Sequence, residues 1–447
     1  MCANFFPSWI NRGAARGIVR VLLCLAWAWT AAAQSPPNPP ARQPLPAFPG
    51  AEGFGALATG GRGGELFHVT SLEDSGPGTF RDAVSRSRRI IVFDVGGVVR
   101  LQSNLAGSSD LTILGQTAPG AGIALYGRSV SFSGRSNVIV RYLRMREGIG
   151  GDKGKCSINL ARSADMIFDH VSIQWGRWDC LGLTQGSHDI TFQNCILGQG
   201  IDPQRFGALV DSTLNITFSH NLWIDNQSRN PKAKGAIQYI NNVVYNWGGN
   251  GLVGGHSIAD HHLDAIGNYF IKGPSSKGHF AGQFTATDKV FQMDNYADLD
   301  RDGRLNGRLV TAPDFGESGG TPTFVPAPFL HPKIPVTIDP AAVAWQKAVA
   351  GAGCSLHRDA VDQRCIAELA SLGGSGQIVK SEAEAGGMAE IAGGPLPVSR
   401  VHDSIPDSWK ISHGLDPSYP NLAVADYNHD GYVNVEKYAN EVAAGKR

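Results

Sequence analysis

From Ile90 onward, short apolar runs recur along the chain, each alternating hydrophobic with polar positions and each ending in a polar turn. They start near Val138, Met166, Ile190, Ile216, Gln238 and Leu263, at intervals of 22 to 28 residues. Each run has the length of a strand, and an interval of this size is the period of a solenoid. The pattern predicts an all-β chain in which every repeat is one coil of a parallel β-helix. A polar residue recurs at a similar place in successive repeats: His170, Asn194, Asn221, Asn242, Asn268 and Asn295. These side chains are expected to stack as a ladder at one turn, the alternative being that asparagine simply marks ordinary turns. Coils bury their faces only against their neighbours, so the core should be a cylinder whose longer loops line a groove on one side.

The excursions between strands are unequal. Trp175 to Asp179, Gly198 to Asp211 and Asp225 to Gly235 are polar and fall in consecutive repeats, so they should lie side by side. The last of them brings Arg229, Lys232 and Lys234 within six residues, with Pro231 stiffening the backbone beside Arg229. Clustered cations of this kind are suited to gripping carboxylates, arginine through two parallel hydrogen bonds. A solvated basic loop is the alternative.

The flanks read differently. Residues 1–33 carry Arg12, Arg16 and Arg20 ahead of an apolar run, Val21 to Trp29, and Ala31 to Ala33 ahead of Gln34, the pattern of a signal peptide. Residues 34–46 form a proline-rich linker and 47–335 the β-helix. Within it, Thr79 to Val84 is predicted as a short helix capping one end of the core. Residues 336–384 read as a helical extension with Asp339-Pro340 at a helix start, 385–402 as a glycine-rich linker, and 403–447 as a small C-terminal module.

Composition narrows the picture. The chain has 39 basic and 39 acidic residues, and loss of the three leader arginines leaves a slight acidic excess, which does not suggest nucleic-acid binding. The apolar leader is too short to span a bilayer and no later segment is a candidate. A secreted, monomeric protein, extracellular or periplasmic, is expected. Fifty-six glycines accord with a turn-rich β protein. Beyond the leader stand Cys156, Cys180, Cys195, Cys354 and Cys365, of which Cys354 and Cys365 are the first choice for a disulfide.

In order along the chain come FPGAEGFG, TGGRGG, HVTSLEDSGPGTFRDAV, IVFDVGG, TILGQTAPG, VIVRYLRMR, DHVSIQW and SRNPK. In this series the chain resembles the bacterial secreted pectate lyases of the first polysaccharide lyase family, over about residues 47–310. The resemblance implies a right-handed parallel β-helix and calcium-dependent β-elimination of polygalacturonate, an acidic polysaccharide. The family's Arg-x-Pro-x-x-Arg pattern falls on Arg229 to Lys234, which puts Arg229 in the place of the base and Lys234 in that of the second arginine. Arginine is ordinarily a poor proton acceptor, its pKa exceeding about 12. Neighbouring cations such as Lys232 would favour its neutral form.

The resemblance also places calcium (Ca2+) near Asp179, the acidic residue that follows DHVSIQW. Where relatives usually carry a calcium-binding aspartate this chain has Cys156, and Asp152 is the candidate substitute, with a plain turn residue as the alternative. Arg205 is the nearest cation to the position of a family lysine that is missing here. Lys232, Trp175, Trp178 and Arg177 are candidate substrate contacts, the tryptophans by stacking on sugar rings or, for at least one, by packing alone. Asp298, Asp300 and Asp302, and again Asp426, Asn428 and Asp430, follow the first positions of calcium loops, but neither series has the closing glutamate at its twelfth position. Each is a structural calcium site or an Asp/Asn turn. His256, His261 and His262 do not match a zinc spacing. Two further functions stay open: a lyase acting on another uronate polymer, and a carbohydrate-binding β-helix without catalysis.

Overall fold

The computed structural model describes residues 44–316 and 319–446. The leader and most of the proline-rich linker lie outside the described residues. Among those described, the strands form three sheets, of 11, 10 and 8 strands, in which each strand pairs with its counterpart one coil away. The pairing is parallel throughout, apart from one antiparallel hairpin at the far end between Tyr296–Asp298 and Arg308–Leu309. The chain is a parallel β-helix.

Alternation along each strand sends one residue in two inward, and the register stacks equivalent residues of successive coils. Val138, Met166, Ile190, Ile216, Ile237, Leu263 and Val290 form one buried file. Ile237, not Gln238, is the equivalent position, because Gln238 faces outward beside Leu330. Two residues further along each strand, Phe168, Phe192 and Phe218 stack with ring centroids 4.5 and 5.5 Å apart. One end of the cylinder is closed by α1 (Phe80–Ala83), N-capped by Thr79, with Phe80 stacked on Phe93. The glycine-rich approach to the first coil is needed for close contact: a Cβ on Gly61 would stand 1.9 Å from the Arg89 carbonyl.

The ladder exists, one residue out of phase with part of the expected series. Asn221, Asn242, Asn268 and Asn295 form it, each Nδ2 donating to the next Oδ1 at 3.0, 3.2 and 2.8 Å and also to a backbone carbonyl. Cys195, not Asn194, stands at its head and donates its N–H to Asn221 Oδ1. Asn194 and His170 occupy the preceding turn position, with φ of +53° and +55°, and both bond Asp169 Oδ1 instead. The turn asks for a left-handed residue immediately before the ladder residue, and asparagine suits both places.

The helical extension lies along the outside of the cylinder. Here α2 (Ala341–Gly351) and α3 (Ala360–Ala370) bury Ala341, Ala348, Cys365 and Leu369 against Ile196, Leu222, Val243 and Tyr269. Asp339 does not cap α2; its carboxylate takes His220 and Lys347. All five described cysteines are free, which corrects the expected Cys354–Cys365 bridge. Cys354 sits beside Ser172 in the connection between the two helices, whereas Cys365 turns inward from α3 toward Gln174. Burial pushes both thiols up, Cys354 to about 11.

The C-terminal residues carry α4 (Asp407–Ser412) and α5 (Asn434–Ala443), which pack Ile405, Trp409, Val435 and Ala439 on Ile90, Val92 and Leu114. Glu436 takes both Nε and Nη2 of Arg62, at 2.8 and 3.0 Å, and Tyr432 donates to the Pro46 carbonyl.

Candidate active site

The three polar excursions do lie side by side. Strand Asp179–Thr184 pairs with Phe206–Asp211, which pairs in turn with Lys232–Lys234. Ser228 bridges to Phe206, and the Arg229 carbonyl accepts the Ala208 N–H at 2.7 Å. Below the loop, Asn226 donates to Asn230 Oδ1 at 2.8 Å and Tyr239 donates its hydroxyl to the Asn230 carbonyl at 2.9 Å. Arg229 itself has φ +64°. That backbone is strained for a residue with a Cβ and is fixed here by the bonds on either side of it.

The Arg229 guanidinium stands between Asp179, at 3.2 Å from both carboxylate oxygens, and the ring of Phe206, at 4.1 Å from its centroid. Asp179 is 0 % exposed. Burial pushes its carboxyl up to about 6, against the pull of Arg229 and then of Lys232. Burial lowers Lys232, as do the charges of Arg229 and Lys234 beside it. Lys234 is in register with Asp211 and donates to its Oδ2 at 2.9 Å. Asp179 lines a groove of about 410 Å3 over the eight-stranded sheet, with Asn104, Ser131, Asn159, Trp178 and Thr184. The groove is rich in hydroxyl and amide groups, with Trp178 38 % exposed beside them.

The other expected site residues separate into those that face this groove and those that do not. Trp175 is wholly buried, donating from Nε1 to Gln199 Oε1 at 3.2 Å and lying under the Arg146 guanidinium, so it packs the core of the loop and cannot stack on a sugar. Arg177 is likewise spent on structure: Nε donates to the Asp202 carbonyl and Nη1 to that of Gly151. Arg205 belongs to the coil before Arg229 and pairs with Asp202 at 3.2 Å. Two residues were not anticipated. Phe206 holds the flat face of Arg229. Glu147, 0 % exposed, accepts the Arg177 N–H and is pushed up to about 7 by burial. Phe206 is readable as the opening residue of a strand, but an acid followed by glycines gives no sign of burial.

The donors expected for calcium do not converge. Cys156 lies against Asp179 with its thiol pushed far up by burial, first of all, and by that carboxylate, so it is a neutral sulfur in a place that wants oxygen. Asp152 turns to Asn104 Nδ2, at 2.9 Å. Asp179, already paired with Arg229, is the one carboxylate left, and among the described residues no three His, Cys, Asp or Glu side chains are grouped to hold a metal ion. The residues present do not fit a calcium ion held by the protein alone. The two calcium-like loops are closed by their own bonds. Asp298, Asp300 and Asp302 accept the N–H groups of Asn306, Asp302 and Arg304, and Asn306 Nδ2 donates to Asp302. In the second, the Lys437 ammonium lies on Asp426 and 3.2 Å from Asp430, while Asn428 donates to Asp430. His261 bonds Ser257 at 2.7 Å and His262 rests on Phe329.

No family model matches the chain. It is 42 % identical to the "Probable pectate lyase C" of Aspergillus terreus, over 89 % of this chain and 94 % of that one. To the protein of the same name from Emericella nidulans it is 42 % identical over 89 % and 93 %. These relatives are fungal, so the bacterial origin suggested by the motifs is not supported. The solved thermostable pectate lyase PL 47 superposes with a TM-score of 0.51 at 15 % identity, covering 69 % of this chain and 98 % of that one, a likeness of fold. With two fifths of its residues shared along almost the whole length of these relatives, the chain belongs to the pectate lyase family.

Proposed function

We propose that this protein cleaves polygalacturonate by β-elimination, with Arg229 taking the proton at C5. The observation that carries this reading is the guanidinium fixed between Phe206 and Asp179, a carboxylate that lines a groove, with Lys232 and Lys234 on the next strand. In the reaction the C5–H bond breaks, its electron pair forms the C4–C5 double bond, and the C4–O bond breaks with its pair on the departing glycosidic oxygen, which takes a proton from water. Negative charge gathers on the uronate carboxylate as the proton leaves, and fixed cations there stabilise that transition state more than the ground state. Lys232 and Lys234 would supply that charge. Trp178 would stack on a neighbouring sugar and the groove's amides and hydroxyls would take its hydroxyl groups. Arg205, paired with Asp202, would reach the substrate only by leaving that partner.

A calcium ion is implied by the family likeness, yet Cys156 and the Arg229–Asp179 pair leave it no protein cage, so no step is assigned to it. The chain is read as exported, with residues 1–33 removed, residues 47–335 as the lyase domain, and the helical extension and C-terminal module as attached parts. No helix among the described residues is long and apolar enough to cross a membrane.

The deciding experiment follows the ultraviolet absorbance of unsaturated uronate with purified protein and polygalacturonate, with and without a chelator. A rise that Arg229→Lys abolishes supports the reading. A rise only with another uronan would move the substrate, and binding without product would make the protein a carbohydrate-binding β-helix. Should Arg229→Lys keep its rate, Arg229 is not the base.

A further inference from the structure

The parallel register of the eight-stranded sheet sets its outward residues in files that run from coil to coil along the cylinder. One file is Ala106, Ser131, Asn159, Gly182, Leu209 and Lys232. Beside it run Ala161, Thr184, Asp211 and Lys234. The alternate residues, Leu181, Leu183, Ala208 and Val210 among them, are buried in the core, so these files form the outer face of the sheet. The groove that Asp179 lines lies over this face, with Ser131, Asn159, Gly182, Thr184 and Leu209 on it.

Positive charge on the two files stands only at Lys232 and Lys234. One coil back, Lys232 gives way to Leu209, half-buried between two core residues, and Lys234 to Asp211, which takes the Lys234 ammonium at 2.9 Å. Further back stand Gly182 with Thr184, then Asn159 with Ala161. Among the described residues lining the groove, the charged ones are Asp179, already held by Arg229, and the exposed Lys155. Neighbouring coils are about 4.8 Å apart. That is close to the length of one pyranose unit, so a polymer lying along the groove sets successive sugars over successive coils.

A free uronate on the sugar over Leu209 and Asp211 would exchange water for an isobutyl group and a second carboxylate, a costly setting for a negative charge. The protein's own donors hold no cage for a cation that could offset it, because Cys156 offers sulfur where oxygen is needed. A methyl ester carries no charge there, and its methyl group suits the Leu209 side chain. We propose that Leu209 sets specificity: the sugar over its coil is a methyl-esterified galacturonate, beside the free uronate held at Lys232 and Lys234, so partly esterified polymer is preferred to bare polygalacturonate. This rests on the reading of Arg229 as the base of a β-elimination and names the polymer that base meets.

The test measures initial rates of unsaturated-uronate formation, with and without a chelator, on polygalacturonate and on galacturonans of intermediate and near-complete methyl esterification. The intermediate polymer should give kcat/KM about tenfold higher than polygalacturonate. Leu209→Lys should reverse that order, mainly through a lower KM on polygalacturonate, because the new ammonium lies over the neighbouring sugar and not at C5. Leu209→Ala, which adds no charge, should narrow the difference between the polymers and keeps the test decisive should Leu209→Lys not fold; a merely structural role would slow all polymers equally. Fastest cleavage of polygalacturonate, fastest cleavage of the nearly fully esterified polymer, or wild-type preference in both variants would overturn this inference alone. Product from none of the polymers would remove the elimination reading and this inference with it.

Discussion

Arg229 Nη1 lies 3.2 Å from both oxygens of Asp179, a carboxylate fifty residues earlier in the chain and fully enclosed by the coils that bring it there. The pair fixes where the guanidinium points, and its strength depends on the charge state of an acid that burial has weakened.

Arg229→Lys should keep the fold, because the ladder and the Asn226–Asn230 and Tyr239–Asn230 bonds do not use its side chain. Loss of a positioned base lowers turnover by about 100- to 10,000-fold. Circular dichroism should give an unchanged melting curve while the rate of unsaturated-uronate formation collapses.

The Asp179 carboxyl, pushed up to about 6, should set an acid limb in the pH–rate profile. Above pH 6 it is charged and holds Arg229; as pH falls through 6 it takes a proton and the grip weakens. Asp179→Asn should flatten that limb. The stability effect runs the other way. A folded-state value raised above the ordinary 3.8 means that protonation favours the fold, so this group's contribution is fully present below about pH 4 and is lost as pH rises through 6. Thermal melts should therefore show Asp179→Asn less destabilising at pH 7 than at pH 4.

Asn242 accepts from the Asn221 backbone and side chain and donates to Asn268. Asn242→Ala would strand those buried donors at a cost of about 1–3 kcal/mol for each group left unsatisfied. Denaturant titration should show the loss, with hydrogen exchange rising first in the coils on either side, and turnover near wild type at low temperature.

Cys156→Asp would set a second carboxylate against Asp179 and create the oxygen pair that the present chain lacks. Calorimetry should show calcium binding stronger than in the wild type, and chelation should lower the variant's melting temperature more than the wild type's. Equal calcium response in both proteins would contradict the donor geometry.

The coil repeat was legible because strand alternation and the recurring turn asparagines point to one architecture, and Arg229 and Asp179 were legible because each follows a distinctive run of residues. Phase was harder to read. His170 and Asn194 differ from the ladder residues by one position, and a polar side chain at a turn looks the same whether it points along the stack or out of it. The excursion Trp175 to Asp179 held two tryptophans with equal claim on the substrate; only three-dimensional packing put Trp175 inside and Trp178 at the groove. The cysteines erred for a related reason: Cys354 and Cys365 are close along the chain, but α3 directs the second toward Gln174.

The clasp between Arg62 and Glu436 joins the opening turns of the cylinder to the last helix of the chain. It can close only after the final residues have emerged from the ribosome, although the first coil is synthesised early. Until then Ile90, Val92 and Leu114 present a bare greasy strip. A protease that trims the tail from the finished enzyme would uncover the same strip, so clumping of clipped material, with the cleavage groove itself intact, is how such damage would announce itself.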